Sequence, residues 1–290
     1  MTYLGIDTVH RFTAADAKNA VANGISFVGR YLVPAGMNKE LTKEEATNLR
    51  GAGLAILLCW EIGGEAFKNG ATQGANDGAR ARALAESFGI PSGTCIYMAC
   101  DYNIPDRDLI MAEQYMKAAQ AALGKYEAGV YGPLKLVEFL RDRGVCRKFW
   151  QCVAWSPYFS EDAQTWQYQW SDSPDARAMA AKLGCSVDLD TCDDLRKAGF
   201  WMPYNEYSDG DGTIIEPMWY DNPMQWADEA GIMHDGRPND YVTRAEDAVM
   251  FQRYDQRVDR KMDAMKEEII ETIRRMLPED DRKFSGLLDG

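Results

Sequence analysis

Five acidic residues close or occupy apolar, strand-like runs. Asp7 ends YLGID, Glu61 ends LAILLCWE, Asp101 ends TCIYMACD, and Asp188 and Asp190 stand in SVDLD. Carboxylates at strand ends do one of three things: they cap the next helix, hold a hard cation, or carry out acid/base work on a sugar bond. A single Asp there reads as a cap, but recurrence over several runs favours one shared site. Crowded, partly buried carboxylates repel each other. At least one then keeps its proton near neutral pH beside an ionised neighbour, which is what glycosidic cleavage needs. Aromatic residues follow the same run ends: Trp60, Tyr97, Tyr102, Tyr131, Trp155, Trp166 and Trp170. Rings suit sugar faces, although most aromatic side chains serve the core. Tyr97, Tyr131, Trp155, Gln167 and Asp190 are the candidate substrate contacts, with Asn103 beside Asp101.

Residues 1–200 must position these groups. Short apolar runs alternate with helix-length segments, and the runs at Tyr3–Asp7, Ile25–Leu32, Leu54–Glu61, Thr94–Asp101, Ala128–Gly132, Lys148–Trp155, Thr165–Trp170 and Ser186–Asp190 read as eight strands. Thr13 caps a helix over Ala14–Asn23. Thr42 caps another, with Glu45 at the capping-box position and Gly53 as its stop. Helices follow at about 71–88, 107–123 and 133–143. Only a short loop separates strands six and seven, so that βα unit is degenerate. The pattern predicts an α/β fold, a closed parallel (β/α)8-type, TIM-like barrel, whose active site lies at the C-terminal strand ends. No GxGxxG or Walker motif follows a strand, which weakens an open doubly wound sheet.

Composition excludes several functions. A net charge of −13 argues against nucleic acid and against an anionic membrane surface, because both need a basic patch. It leaves a cell-wall sugar polymer open. No apolar run approaches the ~18 residues of a membrane span, so membrane insertion is not expected. The start, MTYLGIDTVHRF, lacks the basic and apolar segments of a secretory signal. The seven Cys contain no CxxC pair and read as reduced, mostly buried thiols, although Cys185 and Cys192 could pair. Two His, and neither an EF-hand loop nor HExxH, leave little for a zinc site or a Ser–His–Asp triad. No metal and no cofactor is expected.

The segments GID (5–7), WE (60–61), GANDGARARALAESFGIP (74–91), IYMACDYN (96–103), GVYG (129–132), TWQYQW (165–170) and VDLD (187–190) together resemble the glycoside-hydrolase-like domain of unknown function, family 1906. That group is similar to the glycoside hydrolase family 25 muramidases. The resemblance covers about residues 2–200 and implies a barrel that acts on, or binds, the peptidoglycan glycan. It matches Asp7 to the strand-one acid of the muramidases, Asp101 to the first acid of their Asp-x-Glu motif, and Asp188 to the strand-eight acid. Asn103 stands where those enzymes have the general-acid Glu, and an amide is no proton donor of that kind. Either Glu61, one strand over, supplies the acid, or the domain binds without cutting. Glu61 is the first choice as acid, with Asp101 stabilising charge or activating water and Asp7 and Asp188 tuning them.

Residues 201–218 are rich in Gly, Asp and Pro and read as a linker. Within 219–254, DGRPNDYVTRAE resembles part of a surface-layer homology module, which implies binding to a secondary cell-wall polymer or oligomerisation. Residues 255–290 read as an amphipathic helix, to about 277, and a frayed tail. Val258, Met262, Met265, Ile269, Ile273 and Met276 form its apolar stripe. A small helical module plus this helix is thus expected after the barrel, with homo-oligomerisation through 219–277 as one use. Barrel, linker and wall-binding module is the layout of a bacteriophage endolysin, a bacteriolytic enzyme made in the host cytoplasm and acting at the wall after release. The alternatives are a non-catalytic wall-glycan-binding protein and an oligomerising assembly protein.

Overall fold

The computed structural model describes residues 2–203. Eight strands form one closed barrel in sequence order: β1 (Tyr3–Asp7), β2 (Phe27–Tyr31), β3 (Ala55–Trp60), β4 (Cys95–Ala99), β5 (Glu127–Gly132), β6 (Phe149–Cys152), β7 (Thr165–Gln169) and β8 (Asp188–Cys192). The helices are α1 (Ala14–Ala22), α2 (Lys43–Gly51), α3 (Gly70–Ser87), α4 (Asp106–Leu123), α5 (Leu134–Asp142) and α6 (Pro174–Leu183). The expected module and helix at 219–277, and most of the expected linker, lie outside the described residues. Trp201 and Met202, assigned to that linker, are buried and belong to the barrel.

Period-two alternation sorts the strand side chains into two cores. Ile6, Val28, Ile56, Ile96 and Val130 face the helices. Phe27, Leu57, Tyr97, Trp150 and Cys192 fill the barrel interior, so the barrel is packed and not a pore. Between β6 and β7 no helix intervenes. Instead the Gln151 amide takes up the strap that follows, donating to the Tyr158 carbonyl at 2.7 Å and accepting from Ser160 N–H at 2.7 Å.

The expectation of an all-parallel barrel fails at one strand. β8 is antiparallel to both β1 and β7. Its start is pinned at the mouth, where the Thr8 hydroxyl beyond β1 donates to the Ser186 carbonyl at 2.7 Å. After β8 the chain turns across the opposite end and closes the floor. There Cys95 N–H donates to the Gly199 carbonyl, Ile56 and Trp201 exchange backbone bonds, and the Tyr97 hydroxyl donates to the Ala198 carbonyl at 2.8 Å.

Thr42 caps α2 by accepting from Glu45 N–H at 3.2 Å, as expected. The Glu45 carboxylate does not complete a capping box. It is 1% exposed and binds Arg30, because an unpaired buried guanidinium would be far costlier than one open cap. All seven cysteines are free thiols, five of them buried.

The GANDGA motif sits where α3 meets α4. A Cβ on Gly74 would lie 2.1 Å from the Tyr115 carbonyl oxygen, and one on Gly78 2.5 Å from that of Ala119. Asp77, between them, accepts from the Tyr115 hydroxyl at 2.7 Å. Gly74→Ala gains about 1 kcal/mol of helix propensity, but the clash with rigid backbone forces the helices apart at a typical cost of about 1–3 kcal/mol. A net loss of stability is expected in urea titration; a rise in the midpoint would show that the helices separate freely.

Candidate active site

The mouth is built from inward-facing residues at the C-terminal ends of β1 to β7 and at the start of the reversed β8. Asp7 closes β1 at 6% exposure, and Gly29 on β2 makes room for it, since a Cβ there would come within 2.7 Å of the Asp7 Cβ. Reversal of β8 sets Asp188 directly opposite Asp7, with Asp190 one layer deeper opposite Gly5 and Gln167.

Gln167 organises these acids. Its amide nitrogen donates to Asp7 Oδ2 at 2.8 Å and to Asp188 Oδ2 at 3.1 Å. Its oxygen accepts from the Tyr131 hydroxyl at 2.9 Å, which fixes the orientation of the amide. Trp150 packs against Tyr131 with ring centroids 4.4 Å apart and donates its indole N–H to Asp190 Oδ1 at 2.8 Å.

Burial, then the charge of Asp188, pushes the Asp7 carboxyl up to about 7, against hydrogen bonds from Gln167 and Asp190 that favour its anion. Burial also raises Asp188, opposed by hydrogen bonds from Ser171. Asp190 is raised well above the carboxylate range by burial and by the charge of Asp7. The site therefore holds a carboxyl that can give or take a proton near neutral pH.

The other two predicted acids also reach the mouth. Asp101 is exposed, and its N–H donates to the Gly64 carbonyl at 3.0 Å. The inward-facing Cys59 thiol is raised by burial and then by Glu61, with Asp7 and Asp101 adding to it. All three carboxylates thus converge on one region. Glu61 is 3.0 Å from the Lys39 ammonium, which in turn lies 4.5 Å from the Tyr31 ring centroid. This ion pair fixes the position of the Glu61 side chain at the mouth.

The candidate contacts divide. Tyr131 and Gln167 belong to the network at the mouth, and Asn103 is exposed beside Asp101. Trp155 is 47% exposed and holds a left-handed φ of 56°, uncommon outside glycine and costly for a bulky side chain. Asp190 lies beneath the surface. Tyr97 is fully buried and is a core residue near the floor, so it does not reach the mouth. Trp60 and Trp166 turn outward into the helix layer. Tyr31, Lys39 and Trp150 are participants that the sequence reading missed. Tyr31 and Trp150 occupy inward positions, a register that can be counted back from Asp7 and Gln167. Lys39 lies in a loop and leaves no such signal. Among the described residues, no group of three His, Cys, Asp or Glu side chains is arranged to hold a metal ion.

Residues 18–272 match the family model described as "Rv2525c-like, glycoside hydrolase-like domain". The chain belongs to this Rv2525c-like family. Among similar proteins, YbfG of Bacillus subtilis is 35% identical over 144 residues, 44% of this chain and 20% of that protein. Rv2525c of Mycobacterium tuberculosis is 27% identical over 120 residues, 40% of this chain and 50% of that protein. The matched part of the chain thus spans half or less of these relatives' own lengths. The crystal structure of Rv2525c with L-tartrate superposes with a TM-score of 0.57 at 22% identity, covering 69% of this chain and 98% of that one. At that identity the likeness shows a shared barrel. The Rv2525c-like barrel is the fold expected from the strand pattern, with β8 reversed.

Proposed function

We propose that this Rv2525c-like barrel hydrolyses peptidoglycan as a muramidase, cutting the β-1,4 bond of the glycan with paired carboxylates. The observation that carries the reading is Asp7, a buried carboxyl raised to about 7, with Asp188 opposite it in register. Asp7 is the proton donor, and the exposed Asp101 stabilises the developing positive charge or activates water. Glu61, held by Lys39, orients the sugar with Asn103, Tyr131 and Trp155. One relative, Rv2525c, carries the provisional name peptidoglycan hydrolase, which supports the substrate class. In this reading the protein serves as an endolysin, made in the cytoplasm and acting at the wall after release, and residues 219–254 add contacts to a secondary wall polymer.

Purified Gram-positive cell walls test it. Turbidity should fall with the wild-type protein. Asp7→Asn and Asp101→Asn should each slow lysis by about 10²–10⁴-fold, the usual worth of acid–base assistance, while Glu61→Gln should slow it less. Lysis lost in Glu61→Gln but retained in Asp7→Asn would restore Glu61 as the acid. The pairing of Glu61 and the amide at Asn103 favour a second reading, glycan binding without cleavage. Wild-type protein that sediments with walls but leaves their turbidity unchanged would establish it.

A further inference from the structure

Asp190 has a role that neither capping nor sugar contact explains. It is fully buried. Its Oδ1 accepts from the Trp150 indole at 2.8 Å, whereas its Oδ2 is buried with no donor facing it. The residue above it on the same inward face is another carboxyl, since Asp190 pairs with Gly5 on β1, two positions before Asp7. Two buried carboxyls in adjacent layers keep a proton between them more readily than they both ionise. Asp7 is already supplied by Gln167 at 2.8 Å, whereas Asp190 Oδ2 has no donor in the interior, so the proton belongs to Asp190.

We propose that Asp190 is a positioning acid: it stays protonated while Asp7 titrates, and donates its O–H to the Asp7 carboxylate from beneath. This deepens the proposed hydrolysis and rests on Asp7 as its proton-handling group. The donor steadies the Asp7 anion left after proton transfer, so Asp7 can release its proton near neutral pH despite burial. The titratable groups facing the pair are Asp188 on β8, Tyr31 on β2, Cys59 on β3, Tyr131 on β5, and Glu61 and Asp101 at the mouth. The first four are acids raised by burial, and none of the six can offer a permanent cation. Lys39 is engaged by Glu61.

The test is a titration of the full chain labelled with ¹³C at the Asp side-chain carboxyls. In the wild type, one carboxyl should remain protonated above the midpoint of Asp7. Asp190→Asn should abolish that signal yet leave the Asp7 midpoint in place, because Trp150 holds the amide oxygen and the amide nitrogen then donates to Asp7. Asp190→Leu, which offers no donor, should raise the Asp7 midpoint by about one pH unit or more. A wild-type protein with no protonated carboxyl above that midpoint overturns the proposal, whether or not the Leu variant folds. So does an Asp7 midpoint that is the same in the Leu and Asn variants. If the titrations come out as expected but no wall is lysed, the proton pair stands and the hydrolase reading falls.

Discussion

Arg30→Met should cost the barrel about 3–5 kcal/mol, the usual loss when one partner of a buried ion pair is removed. Arg30 is fully buried. Its Nε and Nη2 hold the two carboxylate oxygens of Glu45 at 2.7 and 3.1 Å, and its Nη1 donates to the Thr8 carbonyl at 2.5 Å. Glu45 also accepts from Phe12 N–H at 3.0 Å. The methionine would replace the stem but strand a carboxylate at 1% exposure, and the desolvation cost of that orphan exceeds what the lost contacts contributed. The double variant Arg30→Met, Glu45→Met removes both charges and should lose less than the single one. Because Thr8 follows Asp7 directly, the single variant should also loosen the mouth. Denaturant unfolding of the two variants checks this, and equal losses in both would show that the stranded charge is not the cause.

The second large effect concerns pH. The Asp7 carboxyl, ordinarily at 3.8, stands at about 7 in the folded chain. Below pH 4 both states hold the proton, and Asp7 carries no penalty. Between pH 4 and pH 7 the unfolded chain releases it and the folded chain keeps it, so stability falls as pH rises. Above pH 7 the penalty is constant, on the order of 4 kcal/mol at 1.36 kcal/mol per pH unit. Asp7→Asn should remove this fall, giving a variant whose advantage grows from pH 4 to pH 7 while lysis is lost. Urea midpoints across that range decide it; parallel curves for wild type and variant would refute the raised value. A stabilising change that abolishes activity is what a site under electrostatic strain should give.

The barrel was legible because period-two runs and helix-length spacers leave few other folds. Thr13, Thr42 and Gly53 marked element ends through local chemistry that context did not override. The direction of β8 was not legible, since alternation reads the same both ways. Its reversal brings Asp188 opposite Asp7 from the start of the strand and not from its end. Tyr97 and Trp60 failed as groove residues because residue type reports neither the depth of an inward side chain, which puts Tyr97 near the floor, nor the face of the strand, which turns Trp60 outward. Glu61 is held by Lys39, which lies on a loop that carries no periodic signal.

The pairing of Asp7 with Asp188 joins nearly the two ends of the barrel sequence. A contact across so long a stretch of chain forms late, because its loop-closure entropy must be met by the strands between. During synthesis the first strand leaves the ribosome long before the eighth. Until then Asp7 has neither Gln167 nor Asp190 beside it, and its carboxyl behaves as that of an unfolded chain. The environment that raises the Asp7 carboxyl is therefore complete only once the first and eighth strands have met.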